Sequence, residues 1–245
     1  MSLAHSADGA TADAARRLIV ALDFPSVTDA ARLAAQLHGE VGVFKIGLEL
    51  VYAGGLDLAR DLAEAGHHIF LDAKLLDIPN TVERATANAA RLGAAYLTVH
   101  GTDRKTLDAA VRGRNGASTK LLAITVLTSL DAADLKQQHI GLSPADLVLA
   151  RAHLARDAGF DGVVASAQEA AAIRAATGDG FLIVTPGIRP AGAEVGDQSR
   201  VVTPAEAIGH GADYLVVGRP ICAAPDPLAA ARKIVAEMAA ALTLR

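Results

Sequence analysis

Eight short apolar runs, each followed by a stretch of different periodicity, constrain this chain more than any other feature. The runs lie at residues 18–22, 41–46, 69–74, 96–100, 120–126, 162–165, 181–184 and 214–217. Short, Val/Ile/Leu-rich and bounded by turn residues, they read as buried strands. Between them lie segments with helical periodicity and punctuation, at 27–37, 49–65, 81–92, 105–112, 144–158, 167–176 and finally 226–242. Ser26 or Thr28 offers a cap, Gly66 and Gly93 offer stops, and Ser143-Pro144 is a cap followed by a first-turn proline. Strand–helix alternation builds a parallel sheet, and a count of eight closes it. The expected fold class is therefore α/β, a single-domain (β/α)8 TIM barrel. An open doubly wound sheet competes, but it wants a Gly-rich dinucleotide turn after the first strand. Asp23-Phe24-Pro25 is not such a turn.

A length of 245 residues suits one barrel, and no linker divides the chain. The barrel is expected over 17–245, preceded by a loose, polar, Ala-rich tail at 1–16. That tail lacks the basic-then-apolar layout of a signal peptide. No apolar run reaches membrane-spanning length. Aromatic residues are only 3% of a chain that is 51% hydrophobic, so the core must come from Ala, Val, Leu and Ile. The net charge is −4, with Lys and Arg scattered rather than striped, which argues against a nucleic-acid partner. Cys222 is the sole cysteine, so no intrachain disulfide can form, and it reads as buried and inert. No Cys/His cluster has zinc-ligand spacing. A cytoplasmic protein with no membrane partner is the expectation.

The chemistry concentrates in residues 70–81, Phe-Leu-Asp-Ala-Lys-Leu-Leu-Asp-Ile-Pro-Asn-Thr. An apolar strand runs into Asp72, Lys74 and Asp77 before Pro79 breaks it. Residues two apart on a strand share a side, so Asp72 and Lys74 should project together, with Asp77 on the turn beyond. A surface salt bridge would be the plain explanation in isolation. In a barrel, however, all strand carboxyl ends open on one face. Strands one to three would bring Asp23, Lys45, Asp72 and Lys74 into an alternating carboxylate–ammonium array. Flanking carboxylates favour the ammonium form of Lys74, which suits a proton donor and cation rather than a Schiff-base nucleophile. His100, Thr128, Pro186 and Arg189 fall at other strand ends. His100 reads as a hydrogen-bonded strand-end residue without a catalytic role.

Gly218-Arg219, after the eighth strand, occupies the usual phosphate position of such barrels. Glycine lets backbone N–H groups approach, and arginine binds phosphate with two parallel hydrogen bonds. Residues 188–200 contain Arg-Pro, Gly-Ala and Gly-Asp-Gln without apolar periodicity, which marks them as a candidate active-site lid.

The run Asp72-x-Lys74-x-x-Asp77-Ile78-Pro79-x-Thr81 resembles the signature of the orotidine 5'-phosphate decarboxylase family, in its short bacterial form. Leu22-Asp23, residues 44–47, residues 126–129, residues 185–189, residues 196–198 and residues 217–220 follow in the family's order. The resemblance implies conversion of orotidine 5'-phosphate to uridine 5'-phosphate, a step of de novo pyrimidine biosynthesis, without metal or organic cofactor. It implies that Lys74 protonates C6 as carbon dioxide leaves and that Asp72 sits against the substrate carboxylate. Lys45 would link Asp72 to the ribose hydroxyls, with Asp23 also contacting the ribose; Thr128 would lie beside the pyrimidine, and Pro186 would contact substrate. Gln198 would join base and phosphate, and Arg189, Gly218 and Arg219 would bind phosphate. Asp77 and Thr81 would reach the neighbouring site of a homodimer, and Ile78 would contact substrate.

Two other readings compete. One is a Mg2+-dependent sugar-phosphate decarboxylase or aldolase on the same kind of barrel. It needs a carboxylate metal ligand where this chain has Lys45, and an ammonium cannot coordinate metal. The other is a barrel that binds a phosphate ligand without transforming it.

Overall fold

The computed structural model describes residues 2–190 and 202–244. In chain order its elements are α1 (Ser2–Arg17), β1 (Leu18–Ala21), α2 (Val27–Gln36), β2 (Val43–Gly47), α3 (Leu48–Tyr52) and α4 (Gly55–Glu64). Then come β3 (His68–Leu75), α5 (Pro79–Leu92), β4 (Tyr96–His100), α6 (Arg104–Arg114), β5 (Lys120–Ile124), α7 (Ala132–Gln137) and α8 (Pro144–Asp157). The remainder are β6 (Gly162–Val164), α9 (Ala167–Thr177), β7 (Leu182–Thr185), α10 (Pro204–Gly209), β8 (Tyr214–Val217), α11 (Arg219–Cys222) and α12 (Pro227–Thr243). The strands pair in parallel in sequential order, and β8 closes on β1 with Val216 opposite Ile19. The (β/α)8 barrel read from the sequence is the fold.

Each strand splits its side chains between two apolar layers. Ile19, Ala21, Val43, Phe70, Tyr96, Leu122, Val184 and Val216 fill the barrel interior. Within it Tyr96 packs edge-on against Phe70 and Tyr214, with ring centroids 6.1 and 5.5 Å apart. Three of the chain's few aromatics thus sit inside the barrel. The alternate residues, such as Leu18, Val20, Phe44, Ile69, Leu71 and Leu97, face the helices. That outer layer is rich in buried alanine, which lets helices lie close to the sheet. Neighbouring strands also approach closely: a Cβ on Gly162 would lie 2.3 Å from the Leu182 carbonyl oxygen of the paired strand.

Local chemistry sets the helix ends. Ser26 and Ser143 accept from the N–H groups of Asp29 and Asp146, and Pro144 opens α8, as the sequence indicated. Gly93 ends α5 in the left-handed conformation. Thr203 and Glu206 form a reciprocal capping box on α10.

Three segments differ from expectation. Residues expected as a loose tail form helix α1, because an alanine-rich stretch has high helix propensity. Its end is anchored: Ala14 is fully buried, and the Gly42 N–H donates to the Ala15 carbonyl at 2.7 Å. Residues 49–65 are two helices rather than one, broken at Gly54 with φ of 95°. Residues 219–222, assigned to no element from the sequence, form one helical turn. Of the candidate lid, 188–190 are described: Ile188 is fully buried and bridges to Val202. The rest of it, with Gln198, lies outside the described residues.

Candidate active site

The strand ends enclose a cavity of about 530 Å³, the size of a site for a small organic ligand. Asp23, Lys45, Asp72, Lys74, Thr128, Pro186, Arg189, Gly218 and Arg219 all line it. These residues are up to 196 positions apart in sequence, and barrel closure is what gathers them.

The charged array runs across three adjacent strands. Lys45 Nζ donates to Asp23 Oδ1 at 2.8 Å and lies 3.7 Å from Asp72 Oδ2. Lys74 Nζ donates to the same Asp72 oxygen at 2.7 Å. The order is carboxylate, ammonium, carboxylate, ammonium. Lys45 and Asp72 are deeply buried, with 9% and 12% of their side chains exposed, whereas Lys74 is 30% exposed and faces the cavity. Burial pushes the Asp72 carboxyl upward, but Lys45 and Lys74, with hydrogen bonds from Lys74 and Thr98, hold it below its ordinary value. Asp72 is therefore an anion at neutral pH despite its burial. Gly47 has a part that sequence reasoning left unassigned. A Cβ there would meet Lys45 Nζ at 2.7 Å and Asp23 Oδ1 at 2.9 Å, so glycine leaves the space the ion pair occupies.

Asp72 and Lys74 meet, but not by simple alternation. Leu71 pairs with Leu97 and Leu75 with Val99, so β3 bulges between them. Lys74 itself takes φ of 47°, a left-handed conformation unusual for a side chain of this size. No sequence signal marks the bulge. Strained backbone at a cluster of charges is a recurrent property of functional sites.

The part of the cavity wall formed after β7 and β8 carries positive charge. Arg189 is 7% exposed, and its guanidinium donates to the Ile188 carbonyl at 2.9 Å. Burial and the neighbouring Arg219 both disfavour its charged form, so an anion between the two would relieve that cost. Gly218 and Arg219 lie where β8 passes into α11. Ile124, Val126, Val164 and Ala165, from the β5 and β6 ends, add an apolar part to the wall. The site thus combines a cation beside an anion, an apolar surface, and a pair of arginines.

Asp77, Ile78 and Thr81 stand elsewhere. All three are exposed, Ile78 to 67%, and none is among the described residues lining the cavity. The Asp77 carboxylate accepts the Ile78 N–H at 2.6 Å. His100 is half-buried, and burial, then Lys74, lower its pKa, which keeps it neutral near pH 7. Cys222 lines the cavity but donates to the Ala21 carbonyl, and burial and then Asp23 push its thiol up to about 12. That thiol is inert at neutral pH.

Comparison with known proteins agrees with this geometry. Residues 16–234 match the model of the family described as Orotidine 5'-phosphate decarboxylase / HUMPS. An orotidine 5'-phosphate decarboxylase of Afipia carboxidovorans is 57% identical over 92% of this chain and 95% of its own length. One from Rhodopseudomonas palustris is 53% identical over 94% and 98%. The crystal structure of orotidine 5'-phosphate decarboxylase from Lactobacillus acidophilus superposes with a TM-score of 0.81 at 38% identity, covering 90% of this chain and 98% of that one.

Proposed function

The chain belongs to the orotidine 5'-phosphate decarboxylase / HUMPS family, and from that premise we infer that it decarboxylates orotidine 5'-phosphate to uridine 5'-phosphate, a step of de novo pyrimidine biosynthesis. The observation that carries the reading is the Asp23–Lys45–Asp72–Lys74 array lining one cavity together with apolar side chains and two arginines. The phosphate belongs with Arg189, Gly218 and Arg219, and the ribose with Asp23 and Lys45. The pyrimidine, flanked by Thr128 and Pro186, then has C6 at Lys74.

Breaking the C6–carboxylate bond leaves its electron pair at C6 as carbon dioxide departs. That carbanion has no carbonyl or imine to spread into. The Lys74 ammonium stabilises it by charge and then transfers a proton to C6, and the resulting amine regains its proton from solvent. The Asp72 carboxylate keeps the ammonium oriented and lies against the substrate carboxylate. Phosphate binding, remote from C6, supplies energy for ordering the site around the base.

Lys45 favours this chemistry over a metal-assisted one. Its ammonium lies 2.8 and 3.7 Å from the two carboxylates, in the space a divalent cation would need. Activity should therefore survive exhaustive chelation. The test is loss of orotidylate absorbance after mixing with chelator-treated protein. Abolition by EDTA with recovery on adding Mg2+ would favour the sugar-phosphate chemistry instead.

The working unit in this reading is a cytoplasmic homodimer with shared sites. Asp77, Ile78 and Thr81 belong to the partner's site. Support comes from the exposed apolar side chains on the neighbouring connections after β2 and β3: Leu48, Tyr52, Leu76 and Ile78 are 43%, 88%, 56% and 67% exposed. Apolar surface beside a reactive turn fits an interface better than solvent.

A further inference from the structure

The bulge in β3 leaves one residue of β4 to serve three. With Leu71 opposite Leu97 and Leu75 opposite Val99, Thr98 spans the stretch Asp72, Ala73 and Lys74. Its hydroxyl accepts the Lys74 backbone N–H at 2.9 Å and donates to Asp72 Oδ1 at 2.9 Å. The other carboxylate oxygen accepts from the Lys74 ammonium. A closed ring results, running from the Lys74 backbone through Thr98 and Asp72 to the Lys74 side chain. Thr98 is fully buried and is not among the residues lining the cavity.

Resting on the decarboxylase reading above, we propose that Thr98 is a positioning residue. It fixes the Asp72 carboxylate and the left-handed Lys74 backbone so that the ammonium points at C6. The hydroxyl has one proton, and Asp72, held ionised, has none to offer in return. The donor direction is therefore fixed, and only the lone pairs remain to receive the Lys74 N–H. Without the hydroxyl, the carboxylate loses a neutral donor and the backbone N–H at the bulge loses its acceptor. A merely space-filling residue would need neither bond.

Thr98→Val keeps shape and branching while deleting the hydroxyl; Thr98→Ser keeps the hydroxyl and drops a methyl. Thr98→Val should lower kcat by about tenfold to a hundredfold, the range of one hydrogen bond to a charged group, with KM for orotidine 5'-phosphate within about threefold. Thr98→Ser should stay within about threefold of wild type in kcat. A second readout needs no substrate: the Asp72 carboxyl, titrated by 13C NMR in the free protein. It is faced by Lys45 from β2, Lys74 on its own strand, Thr98 and His100 from β4, and indirectly Asp23 through Lys45. Its titration should move up in Thr98→Val and remain in place in Thr98→Ser. Unchanged kcat and titration in Thr98→Val would overturn the proposal, as would equal losses in the two variants. Where Thr98→Val fails to fold by circular dichroism, Thr98→Ala takes its place with the same expectations. An inactive wild type would instead sink the decarboxylase reading, and the titration would still decide the role of Thr98.

Discussion

Replacing Lys45 by methionine removes one charge from a buried array and leaves the others in place. Lys45 has 9% of its side chain exposed and Asp72 12%, so that ion pair is shielded from water. Asp23 is 48% exposed and can return to solvent at little cost. Breaking a buried pair by deleting one partner costs about 3–5 kcal/mol. Asp72 keeps the Lys74 ammonium at 2.7 Å and the Thr98 hydroxyl, so the expected loss lies at the low end, roughly 3 kcal/mol. For a chain of this size that corresponds to a fall in Tm of roughly 6–12 °C. The loss should also depend on pH. With Lys45 gone, Asp72 loses the largest influence opposing its burial, and its folded-state pKa rises. Once acid neutralises that carboxyl it no longer needs an ammonium, so the deficit shrinks as pH falls through the raised value. In wild type the sign is opposite: the Asp72 pKa is depressed below its ordinary 3.8, so its contribution is complete above 3.8 and is lost only below it. Thermal unfolding at neutral pH measures the first effect, and urea unfolding of both proteins across the acid range measures the second. A Tm change under about 2 °C, or a deficit independent of pH, would refute the idea that Lys45 neutralises a buried anion.

Two further predictions concern the arginine pair and the assembly. Arg219→Ala should weaken ligands bearing a phosphate by tenfold or more, about 1.5–3 kcal/mol, while binding of the bare nucleoside changes little; calorimetric titration of uridine 5'-phosphate against uridine checks this, and equal losses would show that Arg219 does not bind phosphate. Lys74→Ala and Asp77→Ala subunits, each inactive alone, should regain roughly a quarter of native sites when mixed, mildly unfolded and reassociated, because one site of each mixed dimer is intact. If mass spectrometry shows mixed dimers and no activity returns, Asp77 acts within its own chain.

Most of the architecture was legible because burial on both faces writes itself directly into strand composition. The runs at 18–22, 96–100 and 214–217 needed nothing beyond their apolar character. The residues at the strand ends were legible for a related reason: in a closed parallel barrel, a charge just past an apolar run has one place to go. Departures arose where tertiary contact decides. Alanine at the start of the chain suits both a tail and a helix, and the burial of Ala14 and the hydrogen bond from Gly42 select the helix. Gly54 looked like one more residue of a continuous helical period until its left-handed φ broke the segment in two. The convergence of Asp72 and Lys74 followed from two-residue alternation, yet the backbone reaches it through a bulge with Lys74 at positive φ. Thr98 carried no signal at all, because its significance depends on pairing across 26 residues with a strand whose register shifts.

The most direct test of the central claim is a single-turnover experiment on Lys74→Ala, with enzyme in excess over orotidine 5'-phosphate. Binding, read by equilibrium dialysis, should persist, since the phosphate and ribose contacts remain. Release of carbon dioxide should fall by orders of magnitude, and wild type handled identically should convert all bound substrate to uridine 5'-phosphate. Bound substrate that decarboxylates in Lys74→Ala at a rate near wild type would contradict the assignment of the C6 proton to Lys74.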